Sequence, residues 1–127
     1  RLMITALGKE YGQVFTKNEL INFPDKELQT IDKLWVTHSK GMYGFSVQKE
    51  IYLGCGGIAD GSYNEEVFEN FGDAVAWREK SSWTFDIKWD GSGSRGHLPS
   101  KIVFIRGGAI ETWVCWSCRY LFSHMAL

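Results

Sequence analysis

One stretch, Asp32–Glu50, constrains the fold of this 127-residue chain more than any other. It reads DKLWVTHSKGMYGFSVQKE: an amphipathic run with Leu34, Trp35 and Val36, a polar break at Ser39, Lys40 and Gly41, and a second run that restarts at Phe45. The pattern predicts a helix, a glycine-built turn and a second helix. Gly41 and Gly44 can take positive φ or let two backbones approach with no Cβ in the way, and Ser46 and Gln48 can satisfy backbone groups where the second helix begins. Trp35, Tyr43 and Phe45 are then expected to meet at one elbow. Taken alone, a corner of this kind stabilises a fold and says nothing of function.

Helical spacing extends to both sides of the elbow. Lys26–His38 carries Leu28, Ile31, Leu34 and Trp35 as one continuous apolar face, with Asp25 after Pro24 expected as its N-cap. Phe45–Leu53 repeats the period through Val47, Ile51 and Tyr52, and Gly54, Gly56 and Gly57 end it. Capping boxes are expected at Thr16–Glu19 and Ser62–Glu65, the second opening a short helix of Val67, Phe68 and Phe71 that closes at Gly72. Residues 1–8 have the spacing of a helix end, and Ile110, Trp113, Val114, Cys118, Leu121 and Phe122 fit a closing helix after Gly107-Gly108. Between these elements, Trp83, Phe85, Ile87 and Trp89 alternate ahead of a Gly/Ser tract. With no partner strand evident, that stretch is expected as an extended loop whose apolar side lies over something.

Composition narrows the function classes. Fourteen Lys and Arg against fifteen Asp and Glu give a net charge of −1, which offers nothing to a polyanion and excludes nucleic acid as the expected partner. The abnormality is aromatic: eight Phe, six Trp and five Tyr are more than one small core usually needs, and suggest a surface for a flat apolar ligand or a partner. Three cysteines are an odd number without a framework spacing, and the Cys115–Cys118 CxxC lies late in an apolar run with no second pair to complete a zinc site. His38, His97 and His124 are scattered and no nucleophile elbow or nucleotide loop occurs, so catalysis is not expected. His97 is expected to hold backbone groups beside Leu98-Pro99. The chain starts at Arg1 without a signal-like segment and reads as one domain, residues 1–127, of a longer protein.

The string LQTIDKLWVTHSKGMYGFSVQKEIY, with WREKSSW and GHLP further on, strongly resembles the genomes-uncoupled family of porphyrin-binding proteins, activators of magnesium chelatase in cyanobacteria and plastids. The resemblance covers about Thr16 to Pro99. It implies an all-α fold, a small helical bundle in which two flexible loops form a cleft for protoporphyrin IX or its magnesium complex, with no tightly bound cofactor and no metal ligand from the protein. Carried onto this sequence, the aromatic loop before GHLP corresponds to Trp83, Phe85, Ile87 and Trp89, the facing loop to Phe15 and Leu20, and a carboxylate-binding arginine to Arg106. Arg78 and Arg95 are further candidates for the propionates. Three departures stand out: the family's usual Gly before Trp-Arg is Ala76 here, a Gly/Ser/Arg run stands in place of Ala-Pro before GHLP, and the tail Lys101–Leu127 matches poorly.

The resemblance further implies a non-catalytic protein of the chloroplast or cyanobacterial cytoplasm, with the large subunit of magnesium chelatase as partner and peripheral membrane contact in view. Two other readings stand beside it. One is a sensor module of a larger signalling protein that recognises haem or a bilin, and the other is a protein-interaction domain whose aromatic loop meets a partner.

Overall fold

A computed structural model describes residues 17–83, 88, 90–99, 104–106, 109–111, 120–124 and 127. Among the described residues the longer elements are the helices α1 (Lys17–Ile21), α2 (Asp25–His38), α3 (Phe45–Gly54) and α4 (Glu65–Ala74), and the strands β1 (Arg78–Glu79), β2 (Ser82–Trp83), β3 (Phe104–Arg106) and β4 (Ala109–Glu111), which form two antiparallel hairpins. The body is helical, as the resemblance implies.

The helices start where local chemistry satisfies their free amides, although not at the expected caps. Pro24, not Asp25, is the flanking residue of α2, and Asp25 becomes its first helical residue, an acid in the positive first turn. At α4 the cap is Asn64 rather than Ser62, its side-chain oxygen accepting from the Val67 amide at 3.0 Å. Thr16 of the other expected box lies outside the described residues. Neither Ser46 nor Gln48 caps α3 with its own side chain. Asp32 reaches over from α2 instead, its Oδ1 accepting from the Ser46 amide at 2.8 Å, which places a carboxylate at the positive end of α3.

That cross-helix cap explains the glycine before it. Gly44 has φ 139°, and a Cβ there would lie 2.8 Å from Val36 Cγ2 and 2.9 Å from Asp32 Oδ1. Ser39 closes the other side of the elbow: its hydroxyl donates to the Trp35 carbonyl at 2.6 Å and accepts from the Tyr43 amide at 2.8 Å.

Two interior clusters flank the elbow. Tyr52, Phe68, Phe71, Val75, Trp77 and Phe122 form one, with Trp83 packed on it; Leu20, Phe23, Leu28, Ile31, Phe45 and Leu121 form the other, with Trp35 at its margin. The neighbours Leu121 and Phe122 thus belong to different clusters and join them. In the first, Phe71 meets Tyr52, Trp77 and Phe122 edge-on at centroid distances of 5.5–5.7 Å, and each such buried ring contributes about 1.5–3 kcal/mol by removal from water. Gly72 does not end α4, which continues to Ala74; a Cβ at Gly72 would lie 2.6 Å from the Trp83 ring, so its bareness is what seats that indole.

Both hairpins depart from expectation. Ser82–Trp83 is not unpaired loop but pairs with Arg78–Glu79, across a two-residue turn in which Lys80 and Ser81 both take positive φ, 48° and 65°. Such turns usually announce themselves with Asn-Gly, and Lys-Ser gives no such signal. Ile110 lies in β4, paired with Ile105, not in a closing helix. The β-branched residues on both sides of Gly107-Gly108 favour strands over helix. Helix is restored at residues 120–122, while Trp113, Val114 and Cys118 lie outside the described residues.

Candidate functional site

The apolar face of α2 changes role halfway along. Leu28 and Ile31 are buried, but Leu34 is 45% exposed and Trp35 only half-buried, although all four sit on one stripe. Beyond them the elbow contributes Met42, 40% exposed, and Tyr43. Together with His38, Ser39, Leu98, Asp90 and Gly91 these residues line a cleft of about 650 Å³, within the size range of small-molecule sites. One wall is helix, one is elbow, and the rim opposite is the turn at Asp90–Gly91.

What holds that rim is the GHLP stretch, residues 96–99, pinned from several directions. The Gly44 amide donates to the Leu98 carbonyl at 3.0 Å and the Gly96 amide to the Met42 carbonyl at 2.8 Å. Gln48, fully buried on α3, donates through Nε2 to both Gly96 and Pro99 carbonyls at 2.9 and 2.8 Å. Trp77 Nε1 donates to the His97 carbonyl at 2.8 Å, and the Tyr43 hydroxyl to the Gly93 carbonyl at 3.0 Å. A buried amide with both protons used is stable where it stands and costly to truncate. Gln48 was expected to serve its own helix; its partners are remote in sequence, and nothing local could have disclosed them.

His97 behaves as expected of a backbone-holding loop histidine. Its Nδ1 lies 2.7 Å from the Val75 carbonyl and its Nε2 2.9 Å from the Lys88 amide. Asp90 caps the rim turn, taking the Ser92 hydroxyl at 2.6 Å and the Ser92 amide at 3.0 Å; these bonds, hydroxyl first, hold its carboxyl below the ordinary aspartate value. Partial burial pushes the Cys55 thiol up, which makes it a poor nucleophile.

The expected site residues fare differently. Trp83 is half-buried against Phe68, ring centroids 6.1 Å apart, on the aromatic cluster rather than in the cleft lining. Leu20 is 5% exposed, inside the cluster with Phe23 and Leu28. Phe15, Phe85, Ile87 and Trp89 lie outside the described residues, and Arg106 is described in its backbone alone, in β3. Arg78 is committed to Asp73 and Glu69 at 3.2 and 3.7 Å, and Arg95 to Glu50 at 2.9 Å. The residues that line the cleft were read from sequence as core or turn. The available signal was the exposed end of the α2 stripe, which periodicity cannot distinguish from its buried start.

Among the described residues no cluster of metal-ligating side chains occurs, and no helix is long and apolar enough to cross a membrane.

Comparison with known proteins places these features in a lineage. The family model described as GUN4-like matches residues 1–115. A Ycf53-like protein of Synechocystis sp. is 36% identical over 95 residues, 72% of this chain and 37% of that protein. A chloroplastic tetrapyrrole-binding protein of Arabidopsis thaliana is 41% identical over 56 residues, 42% of this chain and 21% of that protein. Among solved structures, ligand-free Arabidopsis thaliana GUN4 superposes with a TM-score of 0.70 at 28% identity, over 99% of this chain and 78% of that one. The chain spans about a third of the length of the first curated relatives it matches.

Proposed function

The chain belongs to the GUN4-like family, and from that premise we propose that it is a non-catalytic tetrapyrrole-binding domain that takes protoporphyrin IX or its magnesium complex. The observation that carries this reading is the open half of the α2 stripe and the elbow after it: Leu34 and Trp35 on the helix and Met42 on the elbow stay accessible beside a cleft of about 650 Å³ with mainly apolar walls. A macrocycle laid there removes several hundred Å² of apolar surface from water, and at about 25 cal/mol/Å² this supports micromolar binding after association costs. Relatives named as tetrapyrrole-binding and as chloroplast or cyanobacterial proteins support the ligand class and the compartment.

On the same reading Phe15, Phe85, Ile87 and Trp89 contribute to enclosing the ligand and Arg106 meets a propionate by bidentate pairing, whereas Leu20 and Trp83, packed in the interior clusters, are left to the core. The partner is the large subunit of magnesium chelatase, to which the bound pigment is presented. None of the described residues lining the cleft is Lys or Arg, so charge on the ligand must be met from outside that set.

The decisive experiment is titration of the purified chain with each porphyrin. A shifted Soret band and quenched tryptophan emission are expected at low micromolar ligand, with quenching reduced in Trp35→Phe. Flat responses to both porphyrins would overturn the reading. Added to a magnesium chelatase assay, the chain should raise the rate of metal insertion, and no effect would remove the partner from the proposal.

A further inference from the structure

We propose that His97 is the positioning residue of the cleft: through Nε2 it holds the Lys88 backbone and so sets the place of the Asp90–Gly91 rim. The inference rests on the functional reading above for its consequence in binding, but the hydrogen-bond logic stands without it. A backbone amide can only donate, so the Lys88 N–H 2.9 Å away requires a lone pair on Nε2. The ring proton is therefore on Nδ1, where it donates to the Val75 carbonyl at 2.7 Å.

One imidazole thus joins two parts of the chain. Val75 follows α4 and belongs to the aromatic cluster, whereas Lys88 sits two residues ahead of the cleft rim. The ring is held firmly enough to act as a reference point. His97 is 1% exposed, its carbonyl takes the Trp77 indole N–H at 2.8 Å, and its own amide donates to the Ser94 carbonyl at 2.9 Å. Gly93 lies against the ring, where a Cβ would come within 2.5 Å of His97 Cδ2. Beside the Tyr43–Gly93 bond, the rim is therefore tied to the aromatic cluster through this one acceptor atom.

The two ring nitrogens can be separated by substitution. His97→Asn keeps a donor near the Nδ1 position and deletes the Nε2 acceptor; His97→Gln places a side-chain oxygen near Nε2 and gives up the bond to Val75. Lys88→Pro removes the donor and leaves the buried ring untouched, and Lys88→Ala, which keeps the amide, controls for the loss of the ammonium that lowers the Asp90 carboxyl. Three measurements decide. Exchange of the Lys88 amide should rise roughly tenfold in His97→Asn, the loss expected for one hydrogen bond of this kind, and stay near wild type in His97→Gln. Ring nitrogen-15 shifts of wild type should report an unprotonated Nε2. Affinity for magnesium protoporphyrin should fall about tenfold in His97→Asn and in Lys88→Pro and be retained in His97→Gln, with Lys88→Pro melting like wild type.

Equal loss in the two His97 variants, an unchanged Lys88 amide in His97→Asn, or a loosened amide with unchanged affinity would each overturn the proposal. A wild-type chain that binds neither porphyrin would sink the functional reading instead, and the Lys88 exchange comparison would still decide whether His97 holds this rim.

Discussion

The apolar stripes of α2 and α4 look alike as patterns and end in opposite conditions. Phe68 and Phe71 on α4 are sealed by Tyr52 of α3, by Trp77 and Phe122, and by Trp83 laid over Gly72. Among the described residues of the α2 stripe, Leu28 and Ile31 are buried in the cluster with Leu20, Phe23 and Leu121, while Leu34 and the half-covered Trp35 continue the same stripe along the open cleft. Apolar spacing tells which side of a helix faces inward. How far along the helix the cover reaches is decided by what else the chain lays against it. The closed half carries stability and the open half is free to bind.

The comparison breaks most visibly at its closed end. Phe71→Ala removes a ring that touches Tyr52, Trp77 and Phe122, and should cost about 3–5 kcal/mol in denaturant unfolding. Porphyrin affinity per folded molecule should barely change, since Phe71 does not line the cleft. Next comes the elbow that both halves share. Gly44→Ala sets a methyl against Val36 and the Asp32 carboxylate at a φ that side chains avoid, and roughly 2–3 kcal/mol of destabilisation is expected. Melting with normal stability would show that the cross-helix cap has room to give.

On the open side the balance reverses. Leu34→Ser should leave unfolding stability within about 0.5 kcal/mol yet weaken porphyrin binding roughly tenfold, through lost apolar contact. If Leu34→Ser destabilised the chain as Phe71→Ala does, the exposed half of α2 would have to be counted as core.

Where the sequence was legible, it was so for local reasons. The elbow, the three longer helices and the terminating glycine of α3 follow from period, breaker and turn chemistry that act over a few residues. The β1–β2 hairpin escaped because its strands are two residues each and its turn is Lys80-Ser81. The cleft escaped because Gln48, Tyr43 and Trp77 find their partners in residues 93–99, some 20 to 51 positions away, and those bonds decide where cover stops.

Ala76 shows how a departure from the family pattern becomes readable once φ is known. The residue has φ 60°, the left-handed region that costs an alanine about 1–2 kcal/mol. Glycine takes it freely but loses more freedom on folding, so Ala76→Gly should stabilise the chain by about 0.5–1 kcal/mol. Because Ala76 joins Val75 to Trp77 in the closed half, the gain should appear in thermal unfolding and leave porphyrin affinity alone. A change in affinity would mean that the two halves are mechanically coupled at this corner.

The finest test uses a motif that occurs once in each half. Asp60-Gly61-Ser62 lies in the α3–α4 connection and Asp90-Gly91-Ser92 on the cleft rim, with glycine φ values of 81° and 87°. In each, hydrogen bonds from the serine hydroxyl and then its amide hold the aspartate carboxyl below its ordinary value. A depressed folded value means that each turn's small contribution is complete above the ordinary aspartate pKa and is lost as pH falls through the folded one. Both carboxyl carbons should therefore titrate below the ordinary aspartate value in the free chain, with the Lys88 ammonium adding to the lowering at Asp90. Bound pigment acts on one of them, because a macrocycle at the rim takes water from Asp90 and brings propionate charge near it, both of which raise its pKa. Asp60, away from the cleft lining, should not move. By linkage, binding that raises the Asp90 value must strengthen as pH falls through the Asp90 range. Equal shifts at both aspartates, or none at Asp90 under saturating porphyrin, would place the pigment somewhere other than this cleft.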